Sequence, residues 1–134
     1  MKRLLIATSL ALACTTVTPA QCVVVGDKTT GSWGVGYNND GSPTSLKVCL
    51  DTARQRCGAD GGYDCAPLYQ GSEQGWCAII SGARNNGDIL IELTTGKESQ
   101  AAAEAAVRKQ YGTKGGLNAE NVAAYGWYVY ANTR

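Results

Sequence analysis

The sequence predicts an α+β domain in which antiparallel strands carry two helices. Two observations support this class: two amphipathic segments that align at a fixed offset, and β-hairpin turns beside apolar runs. A third, a set of cysteines suited to a secreted protein, predicts disulfide bonds. The order hairpin, helix, strand occurs twice, which gives about six strands and two helices. We therefore expect a degenerate hairpin-helix-strand repeat, stapled by disulfides, with both helices on one face of the sheet.

The N-terminus has the pattern of a secretory signal peptide. Basic residues precede a short apolar run from residue 4 to 13, and Thr18-Pro19-Ala20 then offers small residues at a cleavage site. The run is well below the roughly 20 residues that a membrane span needs. We expect cleavage after Ala20, so that residues 1–20 are removed and residues 21–134 form a single secreted or periplasmic domain.

Two further properties restrict what the chain could bind or attach to. Lipid attachment at Cys14 is the less favoured alternative to cleavage, because Ala11 stands where a lipobox usually has leucine. The chain has 12 Lys and Arg against 11 Asp and Glu, and no run of like charge. This balance argues against nucleic-acid binding by a basic surface, and no later apolar stretch is long enough for a membrane span.

Residues 45–62 and 99–116 are two copies of one sequence repeat that predicts a helix, and they lie 54 residues apart. Apolar side chains recur at helical spacing in both copies, which indicates amphipathic helices. The matched positions are Ser45 with Ser99, Arg54 with Arg108, Gly58 with Gly112, and Gly61-Gly62 with Gly115-Gly116. We expect Ser45 or Thr44 to cap the first helix, Thr95 and Glu98 to form a capping box for the second, and Gly58 and Gly112 to be left-handed stops.

Strand and turn signals flank both helical segments. The second hairpin is predicted from strand 76–83, an Asn-Gly turn and strand 89–93; the first is predicted from strand 32–37 and the Asp-Gly turn at 38–41. Each helix is followed by another candidate strand, at 65–69 and at 125–130. The repeat halves therefore cover about residues 31–70 and 75–131.

Five cysteines remain after cleavage: Cys22, Cys49, Cys57, Cys65 and Cys77. Zinc is disfavoured because the chain has no histidine and no C-x-x-C motif. Cys49 and Cys57 are about 12 Å apart along one helix, too far for a bond to each other. Of the two remaining ways to pair the four core cysteines, we prefer Cys57–Cys65 with Cys49–Cys77. Cys22 lies outside the aligned repeat and is the expected unpaired thiol.

The motifs "WGVGYN", "GGYDC" and "GWCAII", arranged around two helices, resemble a bacterial secreted family called domain of unknown function 4189. The matching residues are Trp33, Gly34, Tyr37, Cys57, Asp64, Cys65, Cys77 and Ala78. The resemblance covers residues 31 to about 130. It implies the fold and secretion and carries no activity. The sequence departs from the family pattern because the second copy lacks the cysteines and because Cys22 and Cys49 are extra.

Candidate catalytic groups are few. The absence of histidine excludes nucleophile systems that use a histidine base. Asp88 and Glu92 could form a carboxylate pair on one strand face, as in glycosidases, but a solvent-facing edge is the preferred interpretation. Asp60 and Asp64 flank a Gly-rich loop and could hold calcium, although the other EF-hand ligand positions are missing. We expect no cofactor and no metal.

The aromatic side chains are the strongest functional signal, because tyrosine and tryptophan combine apolar area with a polar tip. Alternation in "YGWYVY" puts Tyr125, Trp127 and Val129 on one strand face and Gly126, Tyr128 and Tyr130 on the other. One face must be core, and the other exposes two tyrosines beside a glycine, a surface that could bind a partner or a glycan. The predicted binding residues are Trp127, Tyr128, Tyr130, Trp33 and Tyr37.

These observations favour a non-catalytic, secreted or periplasmic module that binds another protein, such as an inhibitor or an immunity-type protein. A small, nearly neutral, disulfide-bonded domain needs only shape and a few anchoring side chains for that role. Two alternatives remain: a cell-wall or glycan-binding accessory domain, and a hydrolase that uses carboxylates alone.

Overall fold

A computed structural model describes residues 21–131 of the chain, so the expected signal peptide and Cys14 lie outside the described residues. The elements are β1 (Cys22–Gly26), β2 (Trp33–Tyr37), α1 (Leu46–Ala59), β3 (Ala66–Gly71), β4 (Gly75–Ala83), β5 (Ile89–Lys97), α2 (Gln100–Thr113) and β6 (Tyr125–Val129). The order strand, strand, helix, strand occurs twice. This confirms the α+β class and the hairpin-helix-strand repeat.

The strands form two separate three-stranded antiparallel sheets, one for each half of the repeat. In the first sheet β1 lies between β2 and β3, and in the second β4 lies between β5 and β6. The first strand of each half is therefore its central strand. This shared order shows that β1, which the sequence alignment left out, belongs to the first half.

The two sheets pack face to face, and each helix covers the outer face of its own sheet. The layer between the sheets is built around Cys22, Val24, Val35, Cys77, Ile79, Trp127 and Val129. On the outer faces, α1 packs on Val23 and Val25, and α2 packs on Ala78 and Ile80. The expectation that both helices share one face is wrong, because the central strands are apolar on both faces and each needs two covering layers.

The first hairpin differs from the one predicted. β2 turns back on β1, which precedes it, and residues 38–41 lead into α1 instead of making a hairpin turn. In that segment the Asn38 side-chain oxygen accepts hydrogen bonds from the backbone N–H groups of Asp40 and Gly41. β1 was not predicted because Val23, Val24 and Val25 do not show the alternation of apolar and polar residues that indicates a strand.

The two helices begin and end at equivalent positions of the repeat. The first residue of α2 lies 54 residues after that of α1, and so does the last. Ser45 caps α1 as predicted, and its hydroxyl accepts from the Val48 N–H at 3.1 Å. The prediction for α2 is wrong: its cap is Ser99, the repeat equivalent of Ser45, and Thr95 instead donates to the Glu73 carboxylate.

The helix ends also differ from the sequence prediction. Gly58 and Gly112 lie inside the last turns of the helices and are not left-handed. The left-handed residues are Gly61 and Gly115, with φ of +99° and +89°. Each follows the C-cap residue, and the two are again 54 residues apart.

The disulfide prediction is confirmed for one pair and wrong for the other. Cys57 and Cys65 are bonded and link the end of α1 to the start of β3. Cys49 and Cys77 are free thiols, as is Cys22. Cys49 lies between α1 and β1, whereas Cys77 lies between the sheets, so the first sheet separates the two side chains.

Close packing of α1 on β2 depends on glycine. A Cβ atom added at Gly34 would clash with the Ala53 carbonyl oxygen, and one at Gly36 would clash with the Cys49 carbonyl oxygen. Both clashes are with helix backbone, which cannot rotate away. The "WGVGY" pattern therefore sets the distance between α1 and the first sheet.

We expect Gly36→Ala to lower the free energy of unfolding by about 1–3 kcal/mol, because α1 must move away from β2. Gly58→Ala is the matched control: it lies within α1, and a Cβ there meets nothing within 4 Å. It should raise stability by about 0.5–1 kcal/mol through helix propensity. Urea unfolding of both variants measures this, and equal effects would contradict the packing argument.

Candidate functional site

The predicted binding aromatics gather where β2, the edge of the first sheet, lies beside β6, the edge of the second. The ring centroids of Trp33 and Tyr125 are 5.4 Å apart, and those of Tyr37 and Trp127 are 6.2 Å apart. Beyond the strand ends, the Tyr130 N–H donates to the Asn38 carbonyl at 3.0 Å. We call the row formed by Trp33, Tyr37, Tyr125 and Trp127 the aromatic seam.

The alternation predicted for β6 is present, and the core face is the one that carries Trp127. Trp127 is 3% exposed and packs between the sheets with Val129. This predicted binding residue is therefore inaccessible to a partner in this conformation. Tyr125, on the same face but at the end of the strand, is 55% exposed.

The opposite face of β6 carries a second aromatic group. Tyr128 lies with its ring centroid 5.5 Å from that of Trp76 and 4.8 Å from that of Tyr130, both in edge-to-face geometry. Tyr130 is 45% exposed, and Tyr128 and Trp76 are half-buried. We call Trp76, Tyr128 and Tyr130 the outer aromatic group. Trp76 is the member that the sequence argument left out of the binding residues.

The Tyr37 hydroxyl adds an uncharged hydrogen-bonding group to the seam. Burial raises the pKa of the Tyr37 hydroxyl, so that it stays protonated at physiological pH. Nearby, the Arg56 guanidinium donates to the Val35 carbonyl at 2.9 Å, which occupies one of its donors. The seam can therefore offer apolar ring area together with phenol hydroxyl groups.

The candidate carboxylates meet in a pocket of about 420 Å³ and are engaged there in structural contacts. Glu92 lies on the α2 side of β5, where it pairs with Lys114 at 3.0 Å and accepts from Gln110. Asp88 lies in the exposed turn before β5. The interpretation of this face as a solvent-facing edge is wrong for Glu92, which is covered by α2. The pocket is lined also by Lys28, Arg84 and residues 89–91 of β5.

The loop proposed for calcium is organised by a side chain that the sequence argument missed. In residues 21–131, no group of three or more His, Cys, Asp or Glu side chains is placed to hold a metal ion. Instead, Asp27 accepts hydrogen bonds from the backbone N–H groups of Tyr63 and Asp64, at 3.1 and 3.2 Å. Its position, a short polar residue between β1 and a Thr-Thr-Gly turn, is the signal that could have identified it.

Asp27 also holds its own turn, since its other carboxylate oxygen accepts from the Thr29 N–H at 2.8 Å. This bond, with those from residues 30, 63 and 64, lowers the pKa of Asp27. One carboxylate thus joins the β1–β2 turn to the loop that precedes β3.

No protein-family model matches the chain, and no curated protein and no solved structure matches it either. The resemblance to domain of unknown function 4189 therefore stays a prediction. Within the described range, no helix is long and apolar enough to cross a membrane. The disulfide is typical of proteins that fold in an oxidising compartment.

We expect Asp27→Asn to lower the melting temperature at pH 7 by several degrees, because an amide cannot accept from four backbone N–H groups. The folded pKa is depressed, so the stabilisation is complete above the unfolded pKa near 3.9 and is lost as the pH falls through the folded value. Melting curves from pH 7 to about pH 2 should therefore converge for the two proteins. A constant difference across that range would contradict the assignment.

Proposed function

We propose that this protein is a secreted or periplasmic, non-catalytic module that binds another protein, in the manner of an inhibitor or immunity-type protein. The observation that carries the proposal is that half-buried aromatic side chains of β2 meet β6, and that exposed tyrosines stand at the start of β6 and directly after its end. Tyr125 and Tyr130 are the exposed members, and Trp33, Tyr37 and Tyr128 extend the surface at half-buried positions.

The aromatic side chains are held in place before any partner arrives. Tyr128 packs edge-to-face against both Trp76 and Tyr130, and the Tyr130 backbone is bonded to Asn38. Rigid tyrosines lose little conformational entropy on binding and offer large contact areas, which is why they are frequent among binding hot spots. The surface therefore has the properties of a preformed protein-binding site.

The free edge of β2 supports a protein partner over a glycan. β2 pairs only with β1 among the described strands, and its sequence "WGVGY" has no charge and no proline. Charged residues and proline are the usual means of protecting an edge strand from pairing with another chain. Arg56 occupies one main-chain acceptor of this strand, the Val35 carbonyl. The remaining edge, lined with aromatic rings, can bind an extended segment of a partner through main-chain hydrogen bonds.

The carboxylates support a non-catalytic role. Glu92 is occupied by Lys114 and Gln110, and Asp27 by four backbone N–H groups. The proposed secretion rests on the expected signal peptide and on the Cys57–Cys65 disulfide. The resemblance to domain of unknown function 4189 is a further argument for secretion.

We expect Tyr130→Ala to weaken binding of the cognate partner at least about tenfold, since removing a hot-spot tyrosine costs more than about 1.4 kcal/mol. The tagged protein would be used to capture partners from the envelope and culture fluid of its source, and the captured protein would then be titrated by calorimetry. Tyr63→Ala is the matched control, because Tyr63 is 85% exposed and lies in the loop beside Asp27.

Equal affinity of the Tyr130→Ala and Tyr63→Ala variants for that partner would reject the site. Sedimentation with purified peptidoglycan, lost in Tyr130→Ala but not in Tyr63→Ala, would replace the protein-binding proposal with glycan binding. Trp127→Ala is not informative, because it empties the layer between the sheets.

A further inference from the structure

Cys22 and Cys77 occupy corresponding positions in the two repeat halves. Each lies on the central strand of its sheet and is followed by three apolar residues, "VVV" in β1 and "AII" in β4. In both strands the cysteine and the second residue after it face the other sheet, and the two residues between and beyond them face the helix. The two cysteines are therefore equivalent side chains pointing into one shared layer.

The two thiols meet inside that layer. Cys22 and Cys77 are each 1% exposed and belong to the same cluster, and each thiol shifts the pKa of the other, as neighbouring groups do. The indole N–H of Trp127 is buried in the same layer without a hydrogen-bond partner. Cys49, the third free thiol among residues 21–131, lies on the helix side of the first sheet.

We propose that Cys22 and Cys77 form a disulfide in the exported protein, which joins β1 to β4 and so links the two repeat halves covalently. Both S–H bonds break and one S–S bond forms. The two electrons and two protons reduce the disulfide of a thiol oxidoreductase, or of a small-molecule disulfide, to two thiols. The proposal is independent of the proposed function, since it requires only an oxidising compartment.

The same geometry determines when the bond can form. Both thiols are buried once the sheets have closed, since each is 1% exposed. An oxidant has no access to a layer that excludes solvent. The disulfide therefore forms while the two halves are docking, and protein folded under reducing conditions keeps the thiols for long periods after exposure to a disulfide oxidant.

The test is differential alkylation of the full chain exported to an oxidising compartment. The protein is unfolded in the presence of one alkylating reagent, then reduced, labelled with a second reagent, and digested with trypsin. Cys49 is recovered in residues 48–54, Cys77 in residues 57–84 and Cys22 in the peptide that ends at Lys28. We expect Cys49 to carry the first label and Cys22 and Cys77 to carry the second.

The proposal would be overturned if Cys22 and Cys77 carried the first label at half the level of Cys49 or more. A disulfide from Cys22 or Cys77 to Cys49 would also overturn it. In the Cys77→Ala variant, Cys22 should gain the first label to the level of Cys49, whereas the matched Cys49→Ala variant should leave Cys22 unlabelled by it. If Cys77→Ala fails to fold, the labelling of the wild-type chain still decides, because that measurement is made on unfolded protein.

Discussion

The fold depends on the burial of two central strands on both of their faces. β1 and β4 each present alternate side chains to the opposite sheet and to a helix, so neither sheet is complete without the other. The layer between the sheets contains small and medium side chains on both sides, with Trp127 as its largest member. Apolar burial is the main stabilising term in a domain of this size, so loss of this layer would leave two halves that each expose an apolar sheet face.

The helices were predictable from the sequence because their signals are local. Periodic apolar residues and the Gly-Gly turn recur at a constant offset, and the structure reproduces that offset at both helix ends. The arrangement of layers was not predictable, because the side of a sheet on which a helix packs is decided by the strand connections and by which face finds a second cover. The Cys49–Cys77 pairing failed for this reason: the two residues are compatible in sequence and lie on opposite faces of the first sheet.

The candidate site was predictable in composition and only partly in geometry. Alternation along β6 assigned the two faces correctly and placed Tyr128 and Tyr130 on the exposed one. Trp127 lies on the other face and is core, so its inclusion among the binding residues was wrong. Glu92 shows the converse case, a charged side chain on a covered face, made possible by its ion pair with Lys114. Asp27 was missed because its partners in the loop before β3 are distant in sequence.

The repeat also explains why the aromatic surface needs both halves. The strand order is the same in each sheet, and face-to-face packing brings the edge strand β2 of one half beside the edge strand β6 of the other. Trp33 and Tyr37 thus come from one half, and Tyr125 and Trp127 from the other. Any change that shifts one sheet against the other would separate these rings while leaving each half intact. The layer that contains Cys22 and Cys77 therefore sets the geometry of the seam as well as the stability of the fold.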